Sequence, residues 1–571
     1  MADAALPYEE PGVVTILVQA SFLLALNVVN SILDNVFYCG LVGQVLIGMA
    51  WGTPGAKMLS HHVEQVITQL GYLGLILIVF EGGLSTSAKS IQTTLLLSIC
   101  VALTGIILPM AFSFSLLALA EASNLQAFAA GSALCSTSLG TTFSILKTTG
   151  LTNSRLGTVL TSAAMLDDVV GLIMVQVISN LGSGNESIQA TTVIRPVFVS
   201  LGFAIVLPLA CRLLAKPALN YYCNNRAETW LLTKVDGVLS RSSIYCLLST
   251  ALLMGLVCAA SYAGTSALFA AYLAGASIAY LDESVAQNQA ATPRESGREA
   301  TTMHQQSPVK VSKRSRGTMA APEDIDPDVV AATSSRKAHE DLTSPASSTR
   351  LPTPPPEGGT DRDDDKAVPT TSSPASEDES RSLNMYNTYH GAAVERILKP
   401  FFFASIGFSI PITRMFQGSI VWRGLVYSVL MAIGKLFCGA WLIRFVKASA
   451  TAPNTGNEQE RKKSSSKPLP RPKSLYPASL LGCAMVARGE IGFLISALAA
   501  SNGIFSTSGT SSAANLESDI YLIVTWAILL CTIVGPLALG ILARRVKRLQ
   551  AERMKSGSAE GEDPLGIWGV G

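Results

Sequence analysis

Charge is scarce in this chain: Asp, Glu, Lys and Arg together make up 14% of its 571 residues, against about a quarter in an ordinary soluble domain. Apolar residues reach 49% and the mean hydropathy is +0.38, so a soluble globular protein of this length is excluded and a polytopic membrane protein is expected. Metal-ligand spacing is also missing. The ten cysteines are scattered, many inside apolar runs (Cys100, Cys135, Cys258, Cys438, Cys531) and none in a C-x2-C pair, which argues against a zinc or disulfide framework. No nucleophile, metal or phosphate motif points to an enzyme, and no G-x-G-x-x-G unit follows the last apolar segment. No cofactor and no nucleic-acid partner are expected. The opening "MADAALPYEEPG" is acidic where a cleavable signal would be basic, so the first span is expected to act as its own insertion signal. The formal net charge of +2 hides a strong segregation along the chain.

A helix needs about 20 apolar residues to cross a bilayer. Hydropathy gives thirteen such segments, near 13–33, 37–51, 66–84, 92–120, 126–146, 156–179, 192–215, 244–262, 265–281, 394–413, 419–445, 476–500 and 519–543. The expected fold is all-α, with the apolar part divided into 1–281 and 391–546 by a hydrophilic stretch, 282–390, and followed by a tail, 547–571. An odd number of spans puts the termini on opposite sides. With the N-terminus outside, 36 of the 42 basic residues fall on the cytoplasmic side and only Lys57, Arg195, Arg414 and Arg423 fall outside, as the bias of Lys and Arg toward cytoplasmic loops requires. Asn185-Glu186-Ser187, an N-glycosylation acceptor pattern, then lies in an outside loop. His61 and His62 lie in another, as solvated residues or modulators of a pH response.

Residues 282–390 contain no Phe or Trp and are rich in Ser, Thr, Pro and acids. Such a stretch buries too little apolar surface to offset the entropy of ordering. A disordered cytoplasmic loop is expected, serving either regulation or nothing beyond a tolerated insertion. Residues 446–475 and the tail after 546 read in the same way.

Five ionisable residues sit near the centres of their spans: Asp167 and Asp168 in the sixth, Lys435 in the eleventh, Arg488 and Glu490 in the twelfth. A charge at mid-bilayer costs about 2.5–3.5 kcal/mol on insertion scales, so such residues are functional candidates. The bland alternative is a set of structural ion pairs. Three acids against two bases leave one carboxylate over, and a lone carboxylate at that depth is a site for a cation or a proton. Neighbours on a helix diverge by about 100°, so one of the two aspartates can pair with Lys435 while the other faces a cavity.

Two spans look interrupted. The fifth reads "AAGSALCSTSLGTTFSIL" and the twelfth "LLGCAMVARGEIGFLI", and such small-residue runs in matching positions of two halves mark the site of inverted-repeat transporters. A close helix-packing face is the alternative for each run. The spacing repeats elsewhere: "LIVFEGGLSTS" in the third span is echoed by "FFFASIGFSIP" in the tenth.

In order along the chain, "LIVFEGGLSTSAKSI", "GSALCSTSLGTTFSILKTTGLTNSRLG", "AAMLDDVVGLI", "FFFASIGFSI", "AIGKLFCGAWL" and "MVARGEIGFLI" resemble the monovalent cation:proton antiporter superfamily, the sodium/hydrogen exchangers, in its paired-aspartate branch. The resemblance implies a homodimer of thirteen-span protomers with two discontinuous crossing helices. Spans four to six and eleven to thirteen would form a moving core. Spans one to three and eight to ten would form a scaffold, with the seventh as linker. It also implies that Asp168 carries the ion or proton, that Asp167 pairs with Lys435, that Thr137 and Ser138 assist at the site, and that Arg488 and Glu490 have a structural or gating role. Many relatives have Pro where this chain has Leu139.

The expected activity is exchange of a monovalent cation, sodium or potassium, for protons across a plasma or endomembrane. Cation and proton would compete for Asp168, because a second positive charge in a low-dielectric site would be unbalanced. The rival readings are a potassium-efflux-type antiporter and a channel-like or sensor protein that kept the fold.

Overall fold

The computed structural model describes residues 8, 10–86, 88–152, 154–182, 190–218, 242–291, 381–443, 474–506, 519–556 and 564–569. Among them every regular element is helical. The order is α1 (Val13–Phe37), α2 (Gly40–Trp51), α3 (His61–Leu84), α4 (Ala88–Ser113), α5 (Leu116–Ala120), α6 (Asn124–Ala133), α7 (Leu139–Thr149), α8 (Arg155–Gly182) and α9 (Ala190–Ala210). It continues with α10 (Ser242–Ala263), α11 (Ala267–Ala291), α12 (Arg381–Tyr386), α13 (Lys399–Phe408), α14 (Ile412–Met415), α15 (Gly418–Leu436), α16 (Tyr476–Val486), α17 (Glu490–Ser501) and α18 (Asp519–Ser556). Each of the thirteen apolar segments coincides with helix, and nine helices among the described residues are long and apolar enough to cross a membrane. The chain is an integral, multi-pass membrane protein.

The two interrupted spans are indeed broken. The fifth divides into α6 and α7 and the twelfth into α16 and α17, each with a non-helical link at its middle. Around these breaks the helices pack in two sets. In one, α2 lies against α1 and α13, and α3 against α11 and α13; in the other, α4 and α8 pack together, α15 and α16 pack on α18, and α17 sits against α6 and α8. The ninth helix touches both sets, through α8 and α11. The first set is drawn together by paired glycines. A Cβ on Gly407 would clash with the carbonyl oxygen of Val45, and one on Gly48 with Ala404; Gly83 and Gly275 meet in the same manner between α3 and α11. In lipid, where tails are as apolar as Leu, such close backbone approach is what holds helices together.

Three boundaries differ from the expectation. Helix α11 continues to Ala291, ten residues past the expected end of its span, and helical structure resumes at Arg381, ahead of the expected 391. Helix α18 runs on to Ser556, because "ARRVKRLQAERMK" is polar yet built from good helix formers. At about 57 Å, that helix exceeds the roughly 30 Å hydrocarbon core. Leu565 and Trp568 of the tail are buried as well, two apolar residues in a segment of mostly small and acidic ones. Residues 292–380, 444–473 and 557–563 lie outside the described residues.

Candidate ion site

Helix α8 spans 28 residues, about 42 Å, and Asp167 and Asp168 lie at its midpoint. Asp167 is fully buried, as is Lys435 near the end of α15. Their Oδ2–Nζ distance is 2.5 Å. Thr137, in the link between α6 and α7, donates its hydroxyl to the same Oδ2 at 2.6 Å and accepts from Lys435 Nζ at 2.9 Å. The ammonium also donates to the carbonyl of Cys135. Three N–H donors thus meet three acceptors, which is how a charge is tolerated away from water.

Asp168, one residue on, is only partly buried and forms no hydrogen bond or ion pair among the described residues. The 100° step along the helix turns it away from Lys435. Its electrostatic surroundings include Asp167, Lys435 and Glu490. Glu490, the first residue of α17, is likewise partly exposed and makes no ion pair among the described residues. Arg488 and Glu490, two residues apart, do not pair with each other.

The breaks cross at one point. Ser138 N donates to the carbonyl of Ala487 at 2.9 Å, so the two interrupted spans are tied backbone to backbone. A Cβ on Gly489 would stand 3.0 Å from Ser138 Cβ. Carbonyls in a non-helical link have no helical partner, and within a membrane they must be satisfied by protein. Here two basic side chains do it in the link after α6: Lys435 donates to Cys135 O, and Arg488, fully buried, donates Nη1 to Ser136 O at 2.8 Å. Thr532 Oγ1 donates to the Arg488 carbonyl at 3.1 Å. Glu490 sits where the positive end of α17 favours an acid.

Asp167 Oδ1 has no hydrogen-bond partner among the described residues, so the arrangement separates an aspartate paired through one oxygen from a partly buried, unpaired neighbour at one depth. The sodium/hydrogen exchanger transmembrane family profile matches residues 24–292. The solved structure of the sodium proton antiporter MjNhaP1 from Methanocaldococcus jannaschii at pH 8 superposes with a TM-score of 0.51, covering 94% of this chain and 99% of that chain at 11% identity. Sequence over residues 24–292 and fold over most of the chain thus both resemble the sodium/proton exchangers of the monovalent cation:proton antiporter superfamily.

The chain is 30% identical over 177 residues to the high-affinity Na(+)/H(+) antiporter NhaS3 of Synechocystis sp., covering 31% of this chain and 38% of that protein. It is 29% identical over 165 residues to the probable Na(+)/H(+) antiporter GerT of Bacillus cereus, covering 28% and 44%. Against the Na(+)/H(+)-K(+) antiporter GerN of Bacillus cereus, identity is 26% over 159 residues, covering 28% and 41%. The chain thus spans about two-fifths of the length of the curated relatives it matches. The structure brings Asp167, Thr137 and Lys435 into one cluster, and ties Ser138 to the crossing through its backbone. Asn185 lies outside the described residues.

Some polar groups at the crossing escaped sequence reasoning. The carbonyls of Cys135 and Ser136 are backbone atoms, invisible to any motif. Tyr427 is fully buried on α15 and its hydroxyl has no partner among the described residues. A tyrosine inside an apolar helix gives no signal of its own.

Proposed function

We propose that this protein exchanges a monovalent cation, sodium or potassium, for protons by alternating access, with Asp168 as the carboxylate for which the two compete. The observation that carries the reading is the division between neighbours. Asp167 is committed to Lys435 and Thr137, whereas Asp168 at the same depth is partly open and unpaired among the described residues. A bare carboxylate resists moving through a low-dielectric barrier, and binding either a proton or a cation removes that obstacle. Ion gradients alone then drive the cycle, without nucleotide or cofactor.

The two packed sets of helices support a core carrying the crossing and a scaffold beside it, with α9 as linker. The distribution of basic residues supports an outside N-terminus and a cytoplasmic C-terminus, and the resemblance supports a homodimer. Sodium/proton exchange in the named activities of NhaS3 and GerT, and potassium in that of GerN, supports the choice of ions. The test is proton flux in proteoliposomes on adding each alkali cation. Cation-dependent flux in the wild type and its loss in Asp168→Asn is expected; full flux in Asp168→Asn would overturn the assignment. Cation conductance without proton coupling would favour the channel-like reading.

A further inference from the structure

The C-terminal residues Pro564–Gly569 are anchored on the ion-site helices, at a distance from the site itself. Gly566–Trp568 form one short turn; Leu565 is 1% and Trp568 8% exposed. Both enter the apolar cluster that contains Leu156 and Val159 of α8, Leu481 and Ala484 of α16, and Leu539 and Ala543 of α18. Polar contacts add direction. The guanidinium carbon of Arg155, the first residue of α8, lies 5.5 Å from the Trp568 ring centroid, within the range of cation–π attraction. Ser474, two residues ahead of α16, donates Oγ to the carbonyl of Pro564 at 2.6 Å. One six-residue segment therefore grips the starting ends of two helices at once.

Those two helices build the site. From the Arg155 contact, α8 reaches Asp167 and Asp168 after 12 and 13 residues, about 18–20 Å along its axis. From the Ser474 contact, α16 reaches Ala487, whose carbonyl receives the amide of Ser138 beside Thr137. An axial slip of α8 against α16 would separate Asp167 from Thr137 and change the room in front of Asp168, because helices transmit displacement along their length with little compression. The segment touches α8 and shares one apolar cluster with α16 and α18, and all three helices belong to the same packed set. It thus braces one body and is not a link between two bodies that slide.

We propose that Trp568 is a positioning residue for ion exchange: clasped by Arg155, it fixes the axial register of α8 against α16 and thereby the geometry at Asp168. This inference rests on the exchange reading above. The test compares full-length wild type, Trp568→Ala, Trp568→Phe and Arg155→Gln in proteoliposomes, reading apparent KM for sodium, maximal rate and the pH profile. Trp568→Ala is expected to raise KM about five-fold and to shift the pH of half-maximal rate, with Trp568→Phe restoring most of both. Arg155→Gln is expected to act in the same direction, and the double variant with Trp568→Ala to add little, since both remove one contact. Amide hydrogen exchange in residues 154–160 should speed up several-fold in Trp568→Ala.

An unchanged KM and pH profile in Trp568→Ala would overturn the proposal, and so would a faster maximal rate, which would make the segment a brake. If Trp568→Ala fails to fold, Arg155→Gln and Ser474→Ala carry the same readouts, and wild-type behaviour in both overturns it. Absence of cation-dependent proton flux in the wild type would instead bring down the exchange reading itself, and the positioning role with it.

Discussion

Lys435 is a full charge with no exposure to solvent, and it persists because Asp167, Thr137 and the Cys135 carbonyl accept all three of its protons. Removing one partner leaves the other buried and uncompensated, which typically costs about 3–5 kcal/mol. Lys435→Met should therefore lower the free energy of unfolding in detergent by that amount, and Asp167→Asn combined with Lys435→Met should recover most of the loss. Equal instability of the double variant would mean that the pair is not the source. The threonine is a smaller term: Thr137→Val removes a hydrogen bond to a charged group, worth about 1.5–3 kcal/mol, and should weaken stability and sodium affinity together. At this scale the sequence was informative wherever a side chain carried charge. Depth alone singled out all five ionisable groups, while the carbonyls of Cys135 and Ser136 and the hydroxyl of Tyr427 left no mark in a pattern of side-chain types.

Among the elements, the breaks in the fifth and twelfth spans were legible as clusters of Gly, Ser and Thr, because these residues weaken a helix and supply oxygen atoms. What the pattern did not contain is the mutual tie, since the Ser138–Ala487 hydrogen bond joins residues 349 positions apart through backbone atoms alone. Glycines predict sharply here. Gly407→Val must push a side chain into the Val45 carbonyl, an overpacking cost of about 1–3 kcal/mol or more, and should cut the yield of folded protein, whereas Gly82→Ala, with open space at its Cβ, should not. Arg488→Met should leave the Ser136 carbonyl unsatisfied and destabilise by about 1–3 kcal/mol, while its effect on sodium affinity should stay smaller than that of Asp168→Asn. The extension of α18 to Ser556 is hidden because a polar run of good helix formers gives no hydropathy signal, and the anchoring of Trp568 because nothing local to its sequence shows that Leu565 and Trp568 join an apolar cluster with helices far away along the chain.

For the molecule as a whole, the thirteen apolar segments, each of which coincides with helix, and the placement of basic residues lead to the expectation of an odd number of crossings. Topology is open to direct labelling. In a background without reactive native cysteines, Ala5→Cys should react with an impermeant maleimide from outside, and Glu560→Cys only after permeabilisation; the opposite pattern would invert the orientation. The central claim is competition between a cation and a proton for one carboxylate, and the most direct measurement is sodium binding to the purified protein as a function of pH. The account predicts that below the titration range of the site the apparent Kd for sodium rises about tenfold per pH unit, as linkage to one proton requires. It also predicts that Asp168→Asn abolishes sodium binding while Asp167→Asn retains it. A sodium affinity independent of pH, or saturable binding that survives in Asp168→Asn, would contradict it.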